Sequence, residues 1–116
     1  MTNNWRQKFI EEVARAEEAQ REGNAGRART AARRAANVVL QEYIRRIDPA
    51  QKRGTIQENG LRLLHTPHLH PEVYLILRHM LMRVGRDYAW PQDIDLVAEA
   101  RRLSVLLLEE EIDGRD

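Results

Sequence analysis

His65, His68 and His70 fall within six residues, and Glu72 follows close behind. Imidazole nitrogens suit zinc, nickel or copper, so these three histidines are the metal candidates. A working site also needs ligands held in place by surrounding hydrogen bonds. Pro67 and Pro71 interrupt this segment and its spacing matches no established metal motif, so the expectation is a loop with no resident metal. No cofactor is expected. His79, beside Met80, is expected to border the core or an interface.

A second group is a line of arginines. Arg27, Arg34 and Arg45 are spaced by seven and eleven residues, which places them on one helix face. Such a line suits phosphate backbones and makes these the nucleic-acid-binding candidates. The alternative is a solvated face partly neutralised by acidic neighbours. A pI near 8.2 and an aromatic content of 5% favour that alternative. Arg29 and Arg33 lie at the edge of the apolar stripe of the same segment and are expected to be half-buried, paired with Glu17, Glu18 or Glu99. Ser104, the one serine, sits in an apolar helical stretch without a base nearby, which argues against a serine nucleophile. There are no cysteines, so disulfides, thiolate metal sites and cysteine catalysis are excluded.

The elements that position these residues all read as helices. Trp5, Phe9, Val13 and Ala16 recur at helical steps, giving a first helix over about 4–22, with Thr2, Asn3 or Asn4 as its cap. Gly23-Asn24 ends it and starts a second helix over about 25–47. Its apolar face is Ala28, Ala32, Ala35, Ala36, Val39, Tyr43 and Ile47, and Asp48-Pro49 stops it. Thr55 and Glu58 form a capping-box pattern before a short third helix over about 56–65, carrying Ile56, Leu61 and Leu64, with Gly60 a weak point inside it. Pro71 and Glu72 open a fourth helix whose apolar face runs Val73, Ile76, Leu77, Met80, Leu81, Val84, with Gly85 as its end. Arg86 to Gln92 reads as a loop whose Tyr88 and Trp90 fold back over the bundle end. Asp93 is the expected cap of a fifth helix carrying Ile94, Val97, Ala98, Val105, Leu108 and Ile112, and 113–116 is a frayed tail. No alternating strand pattern and no repeat appears.

The fold class is therefore all-α: one domain over 1–116, an up-and-down bundle of four to five helices. A chain this long buries roughly two thirds of its unfolded surface, enough to fold without a staple. The longest apolar run, Val105 to Leu108, is far short of a membrane span, and the first ten residues lack a signal-peptide core. The expected location is the cytoplasm, with no membrane partner. Seventeen of the nineteen basic residues are Arg, a composition of GC-rich genomes and of thermophiles. Charge is unevenly placed: eight Lys or Arg lie between 24 and 53, and eight Asp or Glu between 93 and 116. The two regions are set to attract each other, within one molecule or between two.

Trp5, the alanines 14, 16 and 19, the Gly23-Asn24 turn and the Ala-rich run from Ala28 to Ala36, closing in Leu40 and Tyr43, together resemble the opening hairpin of the HEPN family, the higher eukaryote and prokaryote nucleotide-binding domains. The resemblance covers about residues 5–47. It implies a HEPN-like bundle of four or five helices, commonly a homodimer, often beside a nucleotidyltransferase partner. Some members of the family are metal-independent ribonucleases that use an Arg and a His with four to six residues between them. In them the His handles the 2′-hydroxyl proton and the Arg steadies the phosphate. The matching catalytic candidates here are Arg62 and His68, but Leu63 stands where the family has a polar residue and Pro67 interrupts the spacer. The expectation is accordingly a non-catalytic protein-interaction module that forms a homodimer through the apolar stretches 73–84 and 97–112. A metal-independent ribonuclease and a nucleotide or nucleic-acid binding module are the alternatives.

Overall fold

Local chemistry sets most of the helix boundaries. The computed structural model describes residues 4–82 and 94–109, and among them five helices and no strand occur. The first, α1, is Trp5–Arg21, and α2 is Ala25–Ile47. Gly23 takes φ +75°, a left-handed conformation that closes α1 in a tight turn. Asn24 caps α2 by accepting from the Arg27 N–H at 3.1 Å, as its position predicts. Asn4 precedes α1 but its side chain makes no capping bond; Thr2 and Asn3 lie outside the described residues.

The helix α3 spans Ile56–Leu64 and opens on a complete capping box. The Thr55 hydroxyl accepts from the Glu58 N–H, and the Glu58 carboxylate accepts from the Thr55 N–H at 2.9 Å. That N–H, with the hydroxyl, holds the Glu58 carboxyl below its ordinary pKa. Thr55→Ala should lower stability by about 0.5–2 kcal/mol, and an unchanged urea midpoint would show that the box adds nothing.

Two further boundaries differ from the sequence reading. The helix α4, Pro71–Leu81, ends three residues before the expected Val84, because Met82 turns extended at ψ 132°. The helix α5, Leu96–Leu108, starts after Ile94, and its cap is Asp95, which accepts from the Val97 and Ala98 N–H groups at 3.1 Å. Asp95 offers the same capping chemistry as Asp93 two residues later, and the sequence alone does not rank them. Val84, Gly85, Tyr88, Trp90, Asp93, Ile112 and the tail fall outside the described residues.

The centre of the bundle is α2, which packs against α1, α3 and α5, while α4 packs against α3 and α5. Ala16 faces a run of buried alanines, Ala31, Ala32, Ala35 and Ala36, so the first two helices approach closely. Larger side chains fill the rest of the core, including Phe9, Leu40, Leu63, Leu77 and Leu103, all nearly inaccessible. Each contributes about 1.5–3 kcal/mol through burial. Because α2 has neighbours on more than one side, Ala31, Leu40 and Ile44 are buried beyond the expected stripe, while Ile47 is exposed. In α3 the buried positions are Asn59, Gly60 and Leu63, and Leu61 points outward, contrary to the sequence reading. Gly60 lies close to α4: a Cβ there would stand 3.1 Å from Leu81 Cδ1, so the Leu81 side chain would have to give by a few tenths of an ångström. No described helix is long and apolar enough to cross a membrane.

Candidate functional site

The histidine segment is held by its own local bonds. His65 Nδ1 lies 2.8 Å from the Leu61 carbonyl oxygen at the end of α3. His70 caps α4, its Nδ1 accepting from the Glu72 N–H at 3.0 Å. His68 is exposed, at φ 68°. Glu72 turns to Arg102 of α5 at 2.9 Å. Among the described residues no group of three or more His, Cys, Asp or Glu is placed to hold a metal ion. The fastening residue is Tyr74, which sequence reading missed. Its hydroxyl donates to the Thr66 carbonyl oxygen and accepts from the Leu69 N–H, tying the loop to α4. An aromatic with a polar tip eight residues from its partner gives no local signal.

Arg62, paired with His68 in the ribonuclease motif, has a carboxylate beside it. Its guanidinium stands 3.5 Å from Asp48 Oδ2, at the C-terminal cap of α2. The arginine line of α2 divides. Arg27 pairs with Glu22 at 3.0 Å and borders a shallow groove with Arg34, Arg15 and Thr30. Arg34 has no ionic partner among the described residues. Arg45 belongs to a different groove and is bonded to Glu42. Arg29 and Arg33 are half-buried as expected, but two of the three acids expected beside them have other partners. Glu17 pairs with Arg101 and Glu99 with His79, while Arg33 Nε is buried without a hydrogen-bond partner among the described residues. Ser104 is buried and donates to the Arg101 carbonyl oxygen at 2.7 Å, a structural role.

The His79–Glu99 pair joins α4 to α5. His79 Nδ1 lies 2.7 and 2.9 Å from the two carboxylate oxygens, with both side chains about four-fifths buried. Burial pushes the Glu99 carboxyl above its ordinary value, Asp95 and Glu72 add to the shift, and His79 opposes it. A carboxyl whose folded pKa is raised contributes most at low pH, and that contribution falls as pH rises through the folded value.

A groove of about 320 Å³ lies between the start of α1, the second half of α2 and the loop before α3. Trp5 and Lys8 come from α1, Gln41, Glu42 and Arg45 from α2, and Arg53 from the loop. Glu42 is 3% exposed, an unusual place for a carboxylate. Arg45 grips it with two bonds, Nε at 2.9 Å and Nη2 at 2.8 Å, and Arg46 Nε adds a third at 2.7 Å. Arg45 above all, with Arg46, lowers the Glu42 pKa to about 2 against the opposing cost of burial, so the carboxylate stays charged. The guanidinium carbons of Arg6 and Arg46 stand 4.8 and 5.9 Å from the centre of the Trp5 ring, which is itself buried.

Amides build the floor. Asn59 Nδ2 lies within bonding distance of Asn37 Oδ1 at 2.8 Å, and of Gln41 Oε1 and the Gly54 carbonyl oxygen at 3.2 Å. Asn37 Nδ2 donates to the same Gly54 oxygen, and the Gly54 N–H donates to Gln41 Oε1. The network fixes the loop before α3 against α2. Sequence inspection singled out Arg45 here but neither Glu42 nor the amides. No family model, no curated protein and no solved structure matches the chain.

Proposed function

We propose that this chain is a HEPN-like helical module that acts through protein contacts rather than catalysis, and that it pairs with a second copy of itself. The supporting observation is the distribution of exposed apolar side chains. Ile47, Leu61, Leu75 and Met82 are 53%, 52%, 48% and 40% exposed, and they are the exposed large hydrophobics among the described residues. All four fall between positions 47 and 82, on the end of α2, on α3, on α4 and just after it. The apolar stretches expected to form the interface are largely used inside the bundle: Val73, Ile76, Leu77, Met80 and Leu103 are buried. The surplus is the outward set, with Leu61 and Leu75 on two helices that pack against each other. Exposed leucines on two neighbouring helices suit a two-fold pair, in which each copy covers the other's leucines. The resemblance over 5–47 adds a nucleotidyltransferase as a further partner class.

Light scattering on the full chain tests the pairing. The expected result is a dimer, converted to a monomer of unchanged helix content by the double substitution Leu61→Glu and Leu75→Glu. A wild-type chain that stays monomeric at several hundred micromolar defeats the proposal.

A further inference from the structure

We propose that the groove between α1, α2 and the loop before α3 binds a small phosphate-bearing molecule. The groove gathers three cations, Lys8, Arg45 and Arg53, around one carboxylate, Glu42, which leaves a net charge of about two positive at neutral pH. Two of the cations are uncommitted. Neither Lys8 nor Arg53 has an ionic partner among the described residues, and both are solvent-exposed at the rim. Glu42 engages Arg45 through Nε and Nη2, so the remaining nitrogen of that guanidinium keeps its donors.

A directed neutral donor completes the set. Gln41 Oε1 is occupied by the Gly54 N–H and by Asn59, which fixes which way the amide lies. Its Nε2 is left without a partner among the described residues, on a side chain that lines the groove. Two free cations, a half-used guanidinium and an oriented amide are donors only, so the recognised group must be acceptor-rich. A phosphate monoester carries close to two negative charges and three acceptor oxygens, each able to accept more than one bond, which suits the charge and the four donor groups. A single carboxylate matches neither. Val38 and the edge of Trp5 supply apolar wall for the organic part of the ligand. The volume of about 320 Å³ lies at the small end of ligand pockets, which favours a small metabolite over a macromolecule.

The inference is independent of the pairing proposed above, since none of the four exposed apolar residues lines this groove. Calorimetric titration of the full chain with inorganic phosphate and with phenyl phosphate at low ionic strength is the test, with acetate as the carboxylate control. Saturable binding of both phosphates is expected, with acetate binding at least about tenfold more weakly. Lys8→Glu and Arg53→Glu should each weaken phosphate binding about tenfold or more. Arg34→Glu makes the same change of charge in the other shallow groove and should leave the affinity within about twofold. Equal loss in Arg34→Glu would mean a diffuse basic surface and overturn the site, as would equal binding of acetate or no saturable phosphate binding. All three variants alter exposed side chains, and matching circular dichroism spectra establish that each is folded.

Discussion

Asn59→Leu should destabilise the chain by about 2–4 kcal/mol, although leucine is similar in size and a better helix former. Asn59 is 4% exposed, and its one amide nitrogen serves Asn37, Gln41 and the Gly54 carbonyl. Leucine leaves Asn37 Oδ1 in a part-buried position with no donor, and an orphaned acceptor costs about 1–3 kcal/mol by itself. The remainder comes from loosening the loop, whose hold on α2 then rests on the Gly54 bonds to Asn37 and Gln41. Asn59→Asp should be worse, because it turns a carboxylate toward three oxygens unless the neighbouring amides rotate. Urea unfolding gives the comparison. If Asn59→Leu unfolds at the wild-type midpoint, the amide network adds no net stability. Because Gln41 depends on the same network for its orientation, Asn59→Leu should also weaken phosphate binding in the groove.

The second large effect is on acid stability. With its folded pKa near 2 against an ordinary value of 4.5, Glu42 stabilises the fold above about pH 4.5. That contribution is lost as pH falls toward 2, where the folded carboxylate is finally protonated. Arg45 is half exposed, so solvent screening reduces the gain to about 1–3 kcal/mol. Glu42→Gln should therefore lose about that amount at pH 7. The wild type should lose it between pH 4.5 and 2, so that the two unfolding curves converge in acid. Curves that stay a constant distance apart over that range would show that Glu42 is not the group responsible. Arg45 and Arg46 remain at the C-terminal end of α2, where the helix dipole favours cations, so the variant should keep its helix.

Legibility followed the range of the interactions. The Asn24 cap, the Thr55–Glu58 box, the Asp48-Pro49 stop and the Pro71 start all stand in the structure where the sequence puts them, since each depends on residues within about four positions. The five-helix, all-α character follows from the same local signals and from a 3.6-residue period. Period alone ranks faces within a helix but does not say how many faces have neighbours. The expected stripe of α2 was thus too narrow, and that of α3 was rotated toward Leu61 when Leu63 is the buried residue. Leu61 and Leu63 are leucines two positions apart with equal propensity, and only the position of α2 and α4 against α3 separates them.

The candidate site was legible only in part, for the same reason. Arg45 stood out by spacing, whereas Asn37 and Asn59 are 22 residues apart and look like ordinary surface amides until α2 and α3 meet. Glu42 reads as one more helix carboxylate, three and four residues from arginines, and its burial, beside a groove that the start of α1 also lines, appears only in the tertiary structure. Arg62 stood out by its spacing from His68, whereas its neighbour Asp48, fourteen residues away, comes beside it only when α2 and α3 meet. The sequence by itself determined the five helices, the caps of α2 and α3 and the all-α class, because those depend on neighbours along the chain. Tertiary structure decided which polar groups share a groove, which leucines face outward and which charges are buried. Those outcomes depend on which helices surround each position, and no local pattern carries that information.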